Sequence, residues 1–269
     1  MSQSPASFVI AVGSGKGGVG KSTVSLNLAL ALVKGGAKVG LYDADMHGPD
    51  IPLMVGLKRE SWTEWWELAR RSRQRELAPI ERYGLRIVSA GFILAEDQPM
   101  VPAALTLRML AVQLLAQVSW GSLDFLIVDL PPGTADIQQE LSKTVKVAGA
   151  LIVVTPQDVA HLDARKALRM FELSSIRVLG GVENMAWVKC PHCDNPLDVF
   201  ARVPEQRSIW ASGVQRLAQI PLDPLVSLAG DTGRPVMIAK TTSSAALAFE
   251  ELARKLKSEL EPNGNARAS

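Results

Sequence analysis

The sequence predicts an α/β domain in which a mostly parallel, twisted sheet carries helices on both faces. Three observations lead there. Short apolar runs suited to buried strands recur along the chain and alternate with stretches of helical periodicity. The first run, Phe8 to Val12, passes through a glycine-rich loop straight into the helical stretch Val24 to Leu32. Apolar residues make up 47% of the 269, ample material for the core of a single sheet domain.

The loop between the first strand and helix is the most informative stretch. Gly15, Gly20, Lys21 and Ser22 fit the G-x-x-x-x-G-K-[ST] pattern of a phosphate-binding P-loop in its required strand–loop–helix setting. Its backbone from Gly17, Gly18, Val19 and Gly20 to Thr23 would close on phosphate oxygens of a nucleotide at the helix N-terminus. Lys21 would pair the β and γ phosphates, and the Ser22 hydroxyl would ligate Mg²⁺. Lys16 is a second cation inside the loop, where an ordinary phosphate loop needs none. It suggests a lysine offered to another phosphate group, as in a facing subunit.

The next strand, Ala37 to Tyr42, delivers Asp43 and Asp45 to the crevice where open α/β sheets bind ligands. Asp45 is the candidate for orienting the attacking water, and Asp43 belongs near the magnesium shell; the competing reading for each is a cap of a helix or turn. Trp62, Trp65 and Trp66 then fall on one helical face, followed by Arg70, Arg71, Arg73 and Arg75. Such a segment packs as a lid or seats on a membrane surface or partner. Leu85 to Ala90 reads as a strand and Ala103 to Val118 as a helix. Leu123 to Asp129 is a buried strand ending in one carboxylate, as a Walker-B magnesium ligand requires. Gly133 follows in a Pro-Pro-Gly loop whose N–H could sense a γ phosphate. Ala150 to Thr155 and Arg177 to Val182 are further strands; His161 reads as a helix residue, and the Asn184 amide as a contact for the adenine edge. The last helix, Ser244 to Leu260, has an apolar stripe of Leu252, Leu256 and Leu260.

Both cysteines of the chain, Cys190 and Cys193, form one C-x-x-C. Two thiolates can share a metal, but zinc and a 4Fe-4S cluster each take four ligands, so a symmetric dimer would have to supply the other pair. Structural zinc, a thiol oxidoreductase pair and two inert thiols are the other readings. The net charge of +2 makes no electrostatic case for nucleic acid, and no apolar run is long enough for a transmembrane segment. Residues 1–7 show no export signal, so a cytoplasmic location is expected. Those residues and the polar tail 261–269 are expected to be disordered around a domain spanning 8–260.

Several of these runs together resemble one known group. Lys16 to Ser22 matches K-G-G-x-G-K-[ST], Asp43 to Pro52 matches D-A-D-x-x-G-P-S-x-P except at Asp50, and Asp129 to Asp136 matches D-L-P-P-G-T-x-D. Thr155 to Ala160, Cys190 to Cys193 and Gly230 to Pro235 match T-P-Q-D-V-A, C-P-x-C and G-D-x-G-x-P. The chain thus resembles the Mrp/ApbC-type iron-sulfur carriers among the deviant Walker-A ATPases. The resemblance implies a P-loop fold like that of nitrogenase iron protein and a nucleotide-sandwich homodimer into which Lys16 reaches. It further implies a slow ATPase, a 4Fe-4S cluster bridged by Cys190 and Cys193 for apo iron-sulfur proteins, and a base bordered by the Pro221 and Asp223 loop. Asp50 stands where the group has Ser, and the group's W-R-G-P and G-G-G stretches are missing. The alternative is a ParA/Min-like positioning ATPase with structural zinc at the cysteine pair.

Overall fold

The computed structural model describes residues 4–46, 48–57, 77–89, 92, 114–133 and 135–261. The tryptophan segment, most of the 103–118 helix, the 262–269 tail, His47 and Thr134 lie outside the described residues. The strands are β1 Phe8–Ser14, β2 Val39–Asp43, β3 Ile80–Arg82, β4 Leu85–Ser89, β5 Phe125–Asp129, β6 Val147–Val154, β7 Val178–Glu183, β8 Val188–Lys189, β9 Pro196–Leu197 and β10 Arg216–Gln219. The helices are α1 Lys21–Lys34, α2 Ile51–Met54, α3 Ala135–Thr144, α4 Asp158–Leu173, α5 Pro224–Asp231, α6 Val236–Ala239 and α7 Ser244–Leu260.

Eight strands make one sheet in the order β10-β7-β6-β1-β5-β2-β4-β3, parallel except where β3 runs antiparallel to β4 at the edge. The chain moves from β1 outward to β2 and β4, returns through β5 beside β1, and crosses to β6 on the other side. The direction therefore reverses at β1 and β5, where open sheets leave a crevice beyond the strand ends. Register puts Val12 beside Asp129, and Asp129 beside Asp43, so the carboxyl ends of β1, β5 and β2 finish together.

Both sheet faces are covered, which is why the strands read as unbroken apolar runs. α1 packs with α7, and α3 with α4; right-handed crossovers in opposite directions put these pairs on opposite faces. α1 is buried nearly all round, because the sheet holds one side and Phe249, Leu252 and Leu256 of α7 the other. The anticipated α7 stripe is thus the packing face, with Leu260 partly buried at its end. Ser243 caps the helix, its hydroxyl accepting from the Ala246 N–H at 3.1 Å. Ala6 is buried, and the Ser7 N–H donates to Leu123 O at 3.1 Å, so the chain joins the core's edge just ahead of β1. Among the described residues no helix is long and apolar enough to cross a membrane.

His161 is wholly buried on α4. Its Nδ1 accepts the Ile209 N–H at 3.2 Å, and its ring meets Trp210 edge-on with centroids 5.6 Å apart. Accepting at Nδ1 leaves the proton on Nε2, a buried donor without a hydrogen-bond partner. Burial holds the imidazole below its ordinary value, helped by Arg165 and Arg216 and opposed by Glu183 and Asp158. A depressed folded-state value means that the unfolded chain takes up the proton first, so stability is lost as pH falls. The melting temperature should therefore drop as pH goes below 6.5. His161→Gln, which keeps an acceptor for Ile209, should flatten that part of the profile; an unchanged slope in thermal melts would show that His161 does not set it.

Candidate functional site

The P-loop of residues 15–20 is held from two sides. Gly15 lies against α4: a Cβ there would sit 2.1 Å from the Asp163 carbonyl carbon and 2.4 Å from the Ala164 nitrogen. Only glycine allows this approach. Gly20, the N-cap of α1, has φ of 79°, and a Cβ on it would sit 2.2 Å from Asn184 Nδ2. α1 begins with no side-chain cap and no acidic residue in its first turn. Its leading N–H groups and positive end are left for an anion.

Lys21, Ser22 and Thr23 line a cavity of about 250 Å³ with Lys16, Gly17, Gly18, Asp45 and Asp50. A groove of about 520 Å³ between α1 and α7 is larger, but most of its charged groups already pair with one another, Lys34 with Glu250 and Arg254 with Glu251. Size does not mark the site here; convergent chemistry does. Beneath the cavity, Lys21 Nζ lies 2.8 Å from Asp129 Oδ2 and donates to Ser22 Oγ at 3.3 Å. The Ser25 hydroxyl donates to Asp129 Oδ1 at 2.6 Å. Asp43 is also fully buried, accepting from the Ser89 hydroxyl at 2.9 Å and the Asp45 N–H at 3.1 Å. Burial pushes the Asp43 carboxyl well above its ordinary value, and the neighbouring Asp129 charge adds to this; Lys21, Ser89 and the Asp45 N–H act the other way.

Two buried carboxylates against one lysine form a donor set short of positive charge, the condition a divalent cation relieves. Ser22 and Asp129 are the groups that would hold Mg²⁺; Asp43 instead points its oxygens at Ser89 and the Asp45 backbone. Asp45 accepts from the Gly48 N–H at 3.2 Å while lining the cavity. Among the described residues Lys16 forms no ion pair, although its backbone is anchored by the Ser14 hydroxyl at 3.0 Å. The Gly133 N–H donates to Ser14 O at 3.3 Å, tying the Pro131–Gly133 loop to the end of β1.

Asn184 donates through Nδ2 to Val19 O at 2.8 Å and so braces the P-loop from behind. Backbone hydrogen bonds from Ile220 to Glu183 and from Ala186 to Ile220 set the 220–223 loop beside it. Asp223 there caps α5, accepting from the Leu225 N–H at 2.9 Å, and Pro221 is buried; neither lines the cavity. Three participants were not singled out from sequence. Ser25 could have been found, because it stands one helical turn after Lys21. Ser89 and the Asp163–Ala164 backbone carry no local signal.

Cys190 and Cys193 sit at the tip of the β8–β9 hairpin, which follows β7 from the same sheet edge. The Cys190 N–H donates to Asn195 O at 2.9 Å and the Asp194 N–H to Cys190 O at 3.0 Å, with Asp194 at φ of 62°. Cys193 is exposed and Cys190 half-buried. The His192 and Cys193 N–H groups and the Cys193 thiol hold the Cys190 thiol below its ordinary value, favouring the thiolate that binds soft metals. Past the hairpin, the chain is strapped to α4: the Val203 N–H donates to Pro156 O, Arg165 to Arg207 O, and Ile209 to His161. α4 therefore touches the P-loop through Gly15 and the hairpin's trailing strap through His161 and Arg165.

Asp129→Ala would leave the Lys21 ammonium buried without its anion and the Ser25 hydroxyl with only the Lys21 carbonyl, 3.1 Å away, as acceptor. The expected cost in urea unfolding of the nucleotide-free protein is about 3–5 kcal/mol. Asp129→Asn, which keeps an acceptor for Ser25, should cost less.

A family model described as a NUBPL iron-transfer P-loop NTPase matches residues 6–257. An Aquifex aeolicus protein named "Iron-sulfur cluster carrier protein" is 43% identical over 258 residues, covering 96% of this chain and 69% of that protein. A Pseudomonas fragi protein of the same name is 42% identical across 91% of this chain and 83% of its own length. Among solved structures, a nucleotide-binding protein from Archaeoglobus fulgidus in complex with ADP aligns with a TM-score of 0.70 at 34% identity, covering 91% of this chain and 93% of that one. The cell division ATPase MinD of Pyrococcus furiosus aligns with a TM-score of 0.67 at 24% identity over 93% of this chain and 98% of its own, a likeness of fold. The family match takes in both the phosphate loop and the cysteine hairpin, and the chain belongs to the NUBPL iron-transfer P-loop NTPases.

Proposed function

We propose that the protein is an ATP-dependent carrier that receives a 4Fe-4S cluster between two copies of the chain and passes it to apo iron-sulfur proteins in the cytoplasm. The cysteine hairpin carries the reading. Two thiols stand on an accessible hairpin at the sheet edge that also bears the phosphate loop, and among the described residues no cluster of three or more metal-binding side chains exists. A four-ligand cargo then needs a second hairpin, which a two-fold axis supplies. The same edge exposes large apolar side chains: Leu53 on α2, Val159 and Leu162 on α4, Leu197 and Val199 at the hairpin, and Leu228 on α5. Such a surface suits burial against another copy.

The nucleotide step follows from the charges at the site. Phosphates entering over the α1 N-terminus compete with Asp129 for Lys21, so that Lys21 turns outward and frees the Asp129 carboxylate. Mg²⁺ held by Ser22 and Asp129 would neutralise phosphate charge. Lys16 extends to the phosphates bound in the facing subunit, Asp45 orients the attacking water, and Gly133 exchanges its bond with Ser14 for one with the γ phosphate. Asn184 and the Pro221–Asp223 loop border the base. Movement of the P-loop reaches the hairpin through α4, because Gly15 bears on Asp163 while His161 and Arg165 hold the strap. Hydrolysis is slow until the facing subunit completes the site.

The test is anaerobic reconstitution with iron and sulfide, followed by assay of iron, labile sulfide and zinc per dimer. Near-stoichiometric iron and sulfide are expected, both lost in the Cys190→Ser, Cys193→Ser double variant. Zinc that resists iron, or no metal, would favour a positioning ATPase with a structural zinc or none. Lys16→Ala should lower ATP turnover at least tenfold while leaving ADP binding by the monomer close to wild type; unchanged turnover would remove the facing-subunit role.

A further inference from the structure

Asp50 precedes α2 but does not cap it. Its backbone is already helical, with φ of −82° and ψ of −25°, and its side chain makes no hydrogen bond to the helix. The ordinary reason for an aspartate before a helix is therefore missing. Its carboxylate instead lines the phosphate cavity with Lys16, Lys21, Ser22 and Asp45. Phosphate cavities are made from N–H groups and cations, so an anion in the wall opposes the ligand.

The surroundings make that opposition felt. Although Asp50 is exposed to solvent, desolvation at the cavity wall, then the Asp45 charge, pushes its carboxyl up, with Asp129 adding to the rise and Lys21 pulling against it. Asp45, which the reading given above sets at the γ-phosphate end, lines the same cavity as Asp50 and is a like charge to it. Lys16 and Lys21 are the cations facing this wall. They are opposed by Asp45 and Asp50 in the cavity and by buried Asp129 and Asp43 below it. A triphosphate entering without a metal adds about four negative charges to a site already short of positive ones.

We infer that Asp50 is a specificity-determining residue that makes triphosphate binding conditional on a divalent cation. Its carboxylate repels the bare terminal phosphate and tolerates the same phosphate once a cation has reduced its charge. A diphosphate, which lacks the group at the Asp45 end, is much less affected. The inference rests on the ATP reading given above and adds to it which form of the nucleotide is admitted.

Affinities for ATP and ADP, each measured by titration calorimetry with magnesium and with EDTA, test it in the wild type, Asp50→Asn and Asp50→Ser. The quantity to compare is the factor by which magnesium tightens ATP binding. It should shrink about fivefold in both variants, through tighter binding of metal-free ATP, while the corresponding factor for ADP changes less than twofold. Asn matches Asp in shape and Ser is smaller, so agreement between the two separates charge from packing. Equal magnesium factors in wild type and variants overturn the inference while leaving the nucleotide reading intact. A wild-type protein that binds neither nucleotide overturns both.

Discussion

The nucleotide edge depends on two carboxylates held abreast with one lysine between them and solvent. Asp43 and Asp129 end neighbouring parallel strands in register, so neither can retreat from the other without breaking the sheet. Fixing like charges side by side costs free energy that the Ser89, Ser25 and Asp45 N–H hydrogen bonds only partly offset. Lys21 completes the compensation in the nucleotide-free state. The strain in this arrangement is electrostatic and local, and it is relieved by positive charge of the kind that a nucleotide's metal brings. The site is thus built around a shortage of positive charge, held in place by backbone hydrogen bonds that the ligand does not touch.

A second constraint, steric in origin, relates this edge to the cysteines. The P-loop and hairpin are separated by most of the chain, yet the P-loop and the strap that follows the hairpin both bear on α4. Gly15 has no room for a side chain against the Asp163 backbone, so loop and helix move together or separate. The strap beyond the hairpin is fixed to α4 by polar contacts, one of them to an imidazole buried away from water. The strap's anchors at His161 and Arg165 flank Asp163 within little more than one turn of α4, so the loop contact and the strap meet the same short stretch of one rigid helix.

Much of this was legible in the sequence. The central strands declared themselves as apolar runs because both their faces are covered, and the glycine loop declared its neighbours because phosphate binding demands that order. Asp43, Asp45 and Asp129 were found at strand ends for the same reason. Harder to read were contacts made between distant elements. Nothing local to Ser89 announces that it serves Asp43, and Gly15 looked like a phosphate-loop glycine when its tightest requirement comes from α4. Asn184 illustrates a different limit: its amide suggested a base contact, whereas the contact seen in the structure is its support of Val19, a role nothing local to Asn184 announces. The short edge strand β3 and the β8–β9 hairpin were too brief for periodicity to reveal.

The strand order also has a bearing on how the chain comes to be made. β1 finds its partners only in β5 and β6; Phe8 lies beside Phe125 and Val9 beside Val147. A ribosome adding roughly 5–20 residues each second therefore leaves β1 without either sheet neighbour for on the order of ten seconds. During that interval the glycine loop has no β5 aspartate below it and no α4 beside it. A nucleotide can accordingly reward folding only in chains that have grown past Asp129 and, for a seated Gly15, past Ala164.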